Sequence, residues 1–207
     1  MIVRLNEKSL IKAVEYLEKR DRLLKLVVSK FGPPPLWERE EGFETLLYII
    51  LEQQVSLASA KAAYEKLLKK IRSITPANFL KLSDAELKLI GFSRQKTSYG
   101  RNLADAIITE RLNLTALSDL DDVQAKEQLM NVKGIGPWTA DIYLLTALGR
   151  PDIWPNGDIA LASAVQKLKR IAFRPSFEEL NRMSLKRKPW RAVAARILWH
   201  YYLSERK

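Results

Sequence analysis

The densest chemical signal in the sequence is Val132-Lys133-Gly134-Ile135-Gly136-Pro137-Trp138-Thr139-Ala140. Two glycines one residue apart permit a tight turn and a close backbone approach to a ligand. Ile135, between them, can tuck its side chain into the core. Pro137 suits a first helical turn. The helix behind it directs its free N–H groups at the turn, which makes a phosphate site from backbone alone. Such a site reads no base sequence and suits binding to DNA anywhere. A G-x-G pair also fits a plain helix–turn–helix connection, and this segment alone leaves both readings open. Downstream, Pro155-Asn156-Gly157-Asp158 sets a carboxylate ahead of the apolar-rich stretch Ile159 to Leu168. Asp158 looks like the N-cap of that stretch, where the helix dipole favours an ionised carboxylate. Position alone favours a cap over a catalytic group.

Other chemistries are closed off by residue type. There is no cysteine, so neither a disulfide nor a cysteine-ligated zinc or iron–sulfur cluster can form. His200 is the single histidine, which excludes a histidine-rich metal site. No G-x-x-x-x-G-K loop is present, so ATP use is not expected. Lys and Arg total 35 against 24 Asp and Glu, a formal charge of +11. That surplus suits a polyanion such as nucleic acid, although a basic surface by itself does not identify one.

The elements that must position these groups read as helices. Residues 8–30 carry Leu10, Val14, Leu17, Leu23, Leu24, Val27 and Val28 at amphipathic spacing, and Gly32-Pro33-Pro34-Pro35 ends the run. Trp37 follows in a loop. Phe43, Leu46, Leu47, Ile50 and Leu51 form a second stripe. Gln54 is polar where that stripe wants an apolar residue. A fresh stripe, Ala60 to Ile71, implies two helices with a break near Gln53-Gln54-Val55-Ser56, where Ser56 can cap the second. Ser83 to Glu86 and Ser176 to Glu179 are capping-box patterns, and Gly91 is a left-handed stop. Further helices are expected from about Arg94 to Ile108, from a cap at Ser118 through Leu129, from Pro137 to Leu148 with a stop at Gly149, and from Pro189 to about Leu203. Strand signals are few and no fixed-period repeat occurs. The expected class is all-α. The apolar runs fall short of the roughly 18 residues of a membrane span. Met1 to Leu5 lacks the apolar stretch of a signal peptide. A soluble, cytoplasmic protein is therefore expected, nucleoid-associated if prokaryotic.

The segment Leu129 to Ala140, followed by an aspartate at a helix start, resembles the helix-hairpin-helix DNA glycosylase superfamily, most closely its bacterial 3-methyladenine DNA glycosylase II family. Three further segments are similar to that family in the same order: Ile50-Leu51-Glu52-Gln53-Gln54-Val55-Ser56, Gly91-Phe92-Ser93-Arg94-Gln95-Lys96, and Lys188-Pro189-Trp190-Arg191 with Trp199. With only the stretch up to Gly42 ahead of Phe43, the N-terminal β-rich domain of longer members is not expected.

The resemblance implies a single helix-hairpin-helix glycosylase unit over 1–207 with two helical lobes around a cleft. Lobe A covers approximately 1–42 plus 150–207, and lobe B approximately 43–149. It also implies a base-excision repair enzyme that flips alkylated purines such as 3-methyladenine and 7-methylguanine out of double-stranded DNA and hydrolyses the N-glycosidic bond. Asp158 takes the catalytic position, in preference to Asp152 and Asp141. Superfamily members that also cut the backbone carry a lysine where this chain has Trp138, so a monofunctional enzyme follows. Trp138 and Trp199 match pocket tryptophans, with Trp37, Tyr48 and Tyr143 as further aromatics. Ile142 and Ile159 stand where the family can have aromatics, which leaves the lesion range open. Gln54 matches the residue that fills the gap left by the flipped base. Ser56, Lys133, Gly134, Ile135, Gly136, Lys96, Arg94 and Arg191 complete the expected DNA contacts. The family hairpin often holds Na+ or K+ through backbone carbonyls, and no side-chain metal site or other cofactor is expected. A monomer is expected. Two alternatives remain: a non-catalytic helix-hairpin-helix module for damaged DNA, and a glycosylase for other damaged purines.

Overall fold

A computed structural model describes residues 4–205. Met1 to Val3, part of the stretch read for a leader, lie outside the described residues. Among the described residues the secondary structure is helical throughout, with twelve α-helices and two short 3-10 turns. No helix among them is long and apolar enough to cross a membrane.

The chain divides into two compact units, Met1–Glu38 with Leu144–Lys207, and Arg39–Tyr143. The sequence placed these boundaries at 42/43 and 149/150. The shift at the second has a local cause. Leu5 N–H donates to Gly149 O at 2.7 Å, and the Arg4 guanidinium donates to Ala147 O at 2.9 Å. These bonds tie the end of the hairpin's helix to the N-terminal segment.

The first unit contains α1 (Glu7–Glu18) and α2 (Arg22–Phe31), then α10 (Ile159–Lys169), α11 (Phe177–Ser184) and α12 (Arg191–Ser204). The single amphipathic run expected over 8–30 is two helices. Asp21 breaks it by capping α2, accepting from Leu23 N at 3.0 Å and Leu24 N at 3.4 Å. Asp21 is buried and pairs with Arg187, whose Nε lies 3.0 Å and Nη2 2.9 Å from its Oδ2. Helix α12 packs on α10, α2 and α1 through Ala192 to Ala195, Ile197 and Leu198. It starts at Arg191, after Pro189 and Trp190. Arg196 is buried within it and donates to Leu36 O at 2.7 Å, Leu145 O at 2.8 Å and Ala192 O at 3.3 Å. Burial, which disfavours its charged form, pulls its pKa down to about 10.

The second unit is built on α3 (Phe43–Glu52), whose Leu46, Leu47, Ile49, Ile50 and Leu51 are all buried. Around it lie α4 (Leu57–Ile71), α5 (Pro76–Leu80), α6 (Asp84–Ile90), α7 (Arg94–Ile108) and α8 (Asp122–Met130). Helix α9 (Pro137–Thr146) starts in this unit. Both expected capping boxes form, at Ser83–Glu86 in this unit and at Ser176–Glu179 in the first. Gly91 ends α6 with φ 115°. Ser118 does not cap α8. It sits in a 3-10 turn, and Asp121 caps α8 by accepting from Val123 and Gln124 N–H. Helix α5 was not foreseen: five residues are too few for a period, and its signals are Thr75 as cap and Pro76 in the first turn.

Candidate active site

In the first unit, Asp158 caps α10. Its Oδ1 accepts from Leu161 N at 2.9 Å and from the Trp199 indole Nε1 at 3.2 Å. The residue is only 7 % exposed. The cap expected from position is present. The indole donor comes from α12, and Trp199 therefore holds the carboxylate instead of offering only a ring face. Trp37 approaches Trp199 edge to face, with centroids 6.5 Å apart, and His200 at 6.3 Å. Trp37 has φ 47°, a left-handed backbone that non-glycine residues rarely adopt. Arg196 fixes the loop that carries Trp37 through the carbonyl of the preceding Leu36. Ile159, the residue after Asp158, is 58 % exposed.

Two competing carboxylates are engaged elsewhere. Asp152 binds Arg191 through both carboxylate oxygens at 2.9 Å and accepts the Arg191 backbone N–H at 3.2 Å. Arg191, expected as a DNA contact, thus carries a bidentate pair with Asp152 in the protein without DNA. In the second unit, Asp141 is buried against Lys126 Nζ at 2.6 Å.

The hairpin in the second unit has the expected geometry. Gly134 has φ 109°, and a Cβ there would stand 2.6 Å from Tyr99 Cβ. Only glycine fits, for both torsional and steric reasons. Ile135 is buried and Lys133 is exposed. Thr139 is buried, and Trp138 is half-buried in the first turn of α9. Tyr143, named as a pocket aromatic, is instead 0 % exposed, and its hydroxyl accepts Gly42 N–H at 3.0 Å. It presents no ring face.

The break after α3 falls at Gln53-Gln54. Gln54 is exposed with φ 55°, and Ser56 caps α4 by accepting from Ser59 N at 3.1 Å. Lys96, expected on phosphate, donates from Nζ to Leu51 O at 2.6 Å. Its pKa is lowered by burial. It closes the C-terminus of α3, where unpaired carbonyls attract a cation. Gln53, to which sequence reasoning gave no role, donates from Nε2 to Gly134 O at 3.0 Å and Thr139 Oγ1 at 2.9 Å. Its polarity at the helix end was the only signal available.

Among the described residues no cluster of three or more His, Asp or Glu could hold a metal. A cation at the hairpin would have to use backbone carbonyls. Those of Val132, Lys133, Gly134 and Gly136 accept Ile135 N, Asn102 Nδ2, Gln53 Nε2 and Ala140 N respectively. A carbonyl has two lone pairs, so these oxygens keep capacity for an ion.

Comparison with known proteins places this arrangement. Residues 47–189 match the HhH-GPD superfamily base excision DNA repair protein family, a span that contains Gln53, Gln54, the hairpin and Asp158. The chain belongs to this family. Among relatives of the HhH-GPD protein, an alkylbase DNA glycosidase-like protein of Schizosaccharomyces pombe is 25% identical over 203 residues, covering 95% of each chain. A DNA-3-methyladenine glycosylase of Bacillus subtilis is 26% identical over 195 residues, covering 88% of this chain and 64% of its own. The chain thus spans just under two thirds of that relative's length. In fold it is similar to a Schizosaccharomyces pombe 3-methyladenine DNA glycosylase solved with abasic DNA, at TM-score 0.84 and 23% identity, covering 95% of this chain and 97% of that one.

Proposed function

We propose that this HhH-GPD protein is a monofunctional DNA glycosylase that releases alkylated purines, of the 3-methyladenine and 7-methylguanine type, from double-stranded DNA. The observation that carries the reading is Asp158: a largely buried carboxylate at the start of α10, oriented by a backbone amide and an indole N–H. Cleavage of the C1′–N bond leaves positive charge on the sugar, and a fixed carboxylate stabilises that charge. The bonding electrons leave with the base. An alkylated purine is cationic before cleavage, so it departs neutral. Water adds to C1′, loses a proton, and an abasic site remains.

The hairpin serves the reaction by binding. The helix start that follows the hairpin suits a phosphate and needs no particular base. Exposed Gln54 suits the gap that a flipped nucleotide leaves. In the first unit the half-buried rings of Trp37 and Trp199 suit a cationic purine by stacking and cation–π attraction, and in the second unit the half-buried ring of Trp138 has the same chemistry. A Na+ or K+ ion at the hairpin carbonyls would add positive charge beside the phosphate. Trp138 supplies no amine, so hydrolysis and not Schiff-base chemistry is the expected route. Such an activity fits a cytoplasmic protein, nucleoid-associated if prokaryotic.

Duplex DNA treated with a methylating agent, incubated with wild type and Asp158→Asn, tests the reading. Release of 3-methyladenine and 7-methylguanine by wild type alone supports it. Equal release by a folded Asp158→Asn variant overturns the role of Asp158. Release of uracil only overturns the substrate class, and duplex binding without release of any base favours a non-catalytic module. A borohydride-trapped covalent adduct would refute the monofunctional assignment.

A further inference from the structure

Gln54 occupies a left-handed backbone conformation that a non-glycine residue keeps only when its surroundings impose it. The residues around it show how. Upstream, Lys96 Nζ holds Leu51 O and thereby the last turn of α3. Downstream, Ser56 starts α4. Between them, the Gln53 side chain reaches away from its own helix and donates to Gly134 O and Thr139 Oγ1. Gly134 O accepts only, so the amide nitrogen must face it. The hairpin is held from its other side by α7, where Tyr99 fills the space beneath Gly134 and Asn102 Nδ2 donates to Lys133 O at 3.3 Å.

We propose that Gln53 is a positioning residue: its amide locks the exposed Gln54 turn to the hairpin, so that the phosphate anchor and the Gln54 side chain meet DNA in fixed register. The proposal rests on the reading that the hairpin binds phosphate and Gln54 enters the duplex. Glutamine is the residue type the geometry requires. Asparagine is one methylene short, glutamate offers no donor to a carbonyl, and leucine fills the space without a bond.

The test uses the full chain with Gln53→Leu and, as a milder probe that leaves Gln53 in place, Thr139→Val. The first readout is amide hydrogen exchange in the free protein over residues 54–57 and 132–140. The second is the ratio of affinities for a duplex containing a tetrahydrofuran abasic analogue and for the intact duplex of the same sequence. Gln53→Leu is expected to speed exchange in both segments together and to cut the affinity ratio by about tenfold, the scale of one or two hydrogen bonds. Thr139→Val is expected to move both readouts the same way by less, and to add little once Gln53 is gone. Unchanged exchange in either segment, or a parallel loss of affinity for both duplexes, overturns the proposal. If wild type does not distinguish the two duplexes, the reading of Gln54 as a gap filler fails, and the exchange experiment still decides whether the lock exists.

Discussion

Replacing Trp199 by phenylalanine removes one N–H and keeps most of the ring. In the folded protein that N–H is 3.2 Å from Asp158 Oδ1, the same oxygen that accepts Leu161 N. Both donors orient the carboxylate, and losing one weakens the restraint on rotation about its last side-chain bond. A hydrogen bond to a charged group contributes about 1.5–3 kcal/mol. If that bond serves the transition state, the loss corresponds to a fall in rate of about 10- to 150-fold. The assay is single-turnover release of 7-methylguanine at saturating protein, which isolates the chemical step from binding. Packing is a separate effect, because the Trp199 ring also meets Trp37 edge to face. Thermal unfolding of the variant measures that part. Trp199→Phe should therefore slow base release more than it weakens binding to a non-cleavable duplex. A rate within twofold of wild type would refute the argument that the indole orients Asp158.

Gly134→Ala places a Cβ at φ 109° and against Tyr99, so a loss of at least about 1–3 kcal/mol is expected in denaturant unfolding, with weaker duplex binding. Asp21→Asn breaks a buried pair with Arg187 and should cost about 3–5 kcal/mol near neutral pH. Burial pushes the Asp21 carboxyl up, but the charge and hydrogen bond of Arg187, the charge of Lys186 and the Leu23 N–H together bring it below its ordinary value. A group with a depressed folded pKa stabilises above the unfolded value, about 3.9, and loses that contribution as pH falls through the folded one. Wild type should thus lose stability below about pH 4 more steeply than Asp21→Asn, as measured by unfolding midpoints across pH. Lys133→Ala should lower the slope of log affinity against log salt by about 1, because Lys133 is exposed beside the hairpin.

The fold was legible wherever local chemistry and apolar spacing agree. Both capping boxes, the Gly91 stop, the break after α3 and the Asp158 cap fall in that class, because each depends on residues within one turn of each other. The division of α1 from α2 shows the limit. Leu10, Val14, Leu17, Asp21, Leu24 and Val27 are all buried and keep helical spacing straight through the break. Asp21 thus stands in an apolar stripe with a period that never falters. What ends the helix is a side chain turned to Leu23 and Leu24 N–H and held by Arg187, 166 positions away. No window of sequence contains that partner.

The same reasoning explains the basic residues. A lysine or arginine near a DNA-binding motif reads as a phosphate contact, because the sequence shows the charge and not its counterpart. Lys96 meets the end of a helix and Arg191 meets Asp152, so each charge has a counterpart within the chain that its sequence neighbourhood does not show. Gln53 errs in the opposite direction. It carries no charge and repeats no pattern, yet its amide joins two segments that the family reading treats as separate contacts. An uncharged donor shared between a backbone carbonyl and a hydroxyl costs less to desolvate than a charge and holds its geometry with little dependence on salt. A chain with a charge of +11 can thus use its exposed cations to attract DNA while neutral hydrogen bonds set where the hairpin and Gln54 stand.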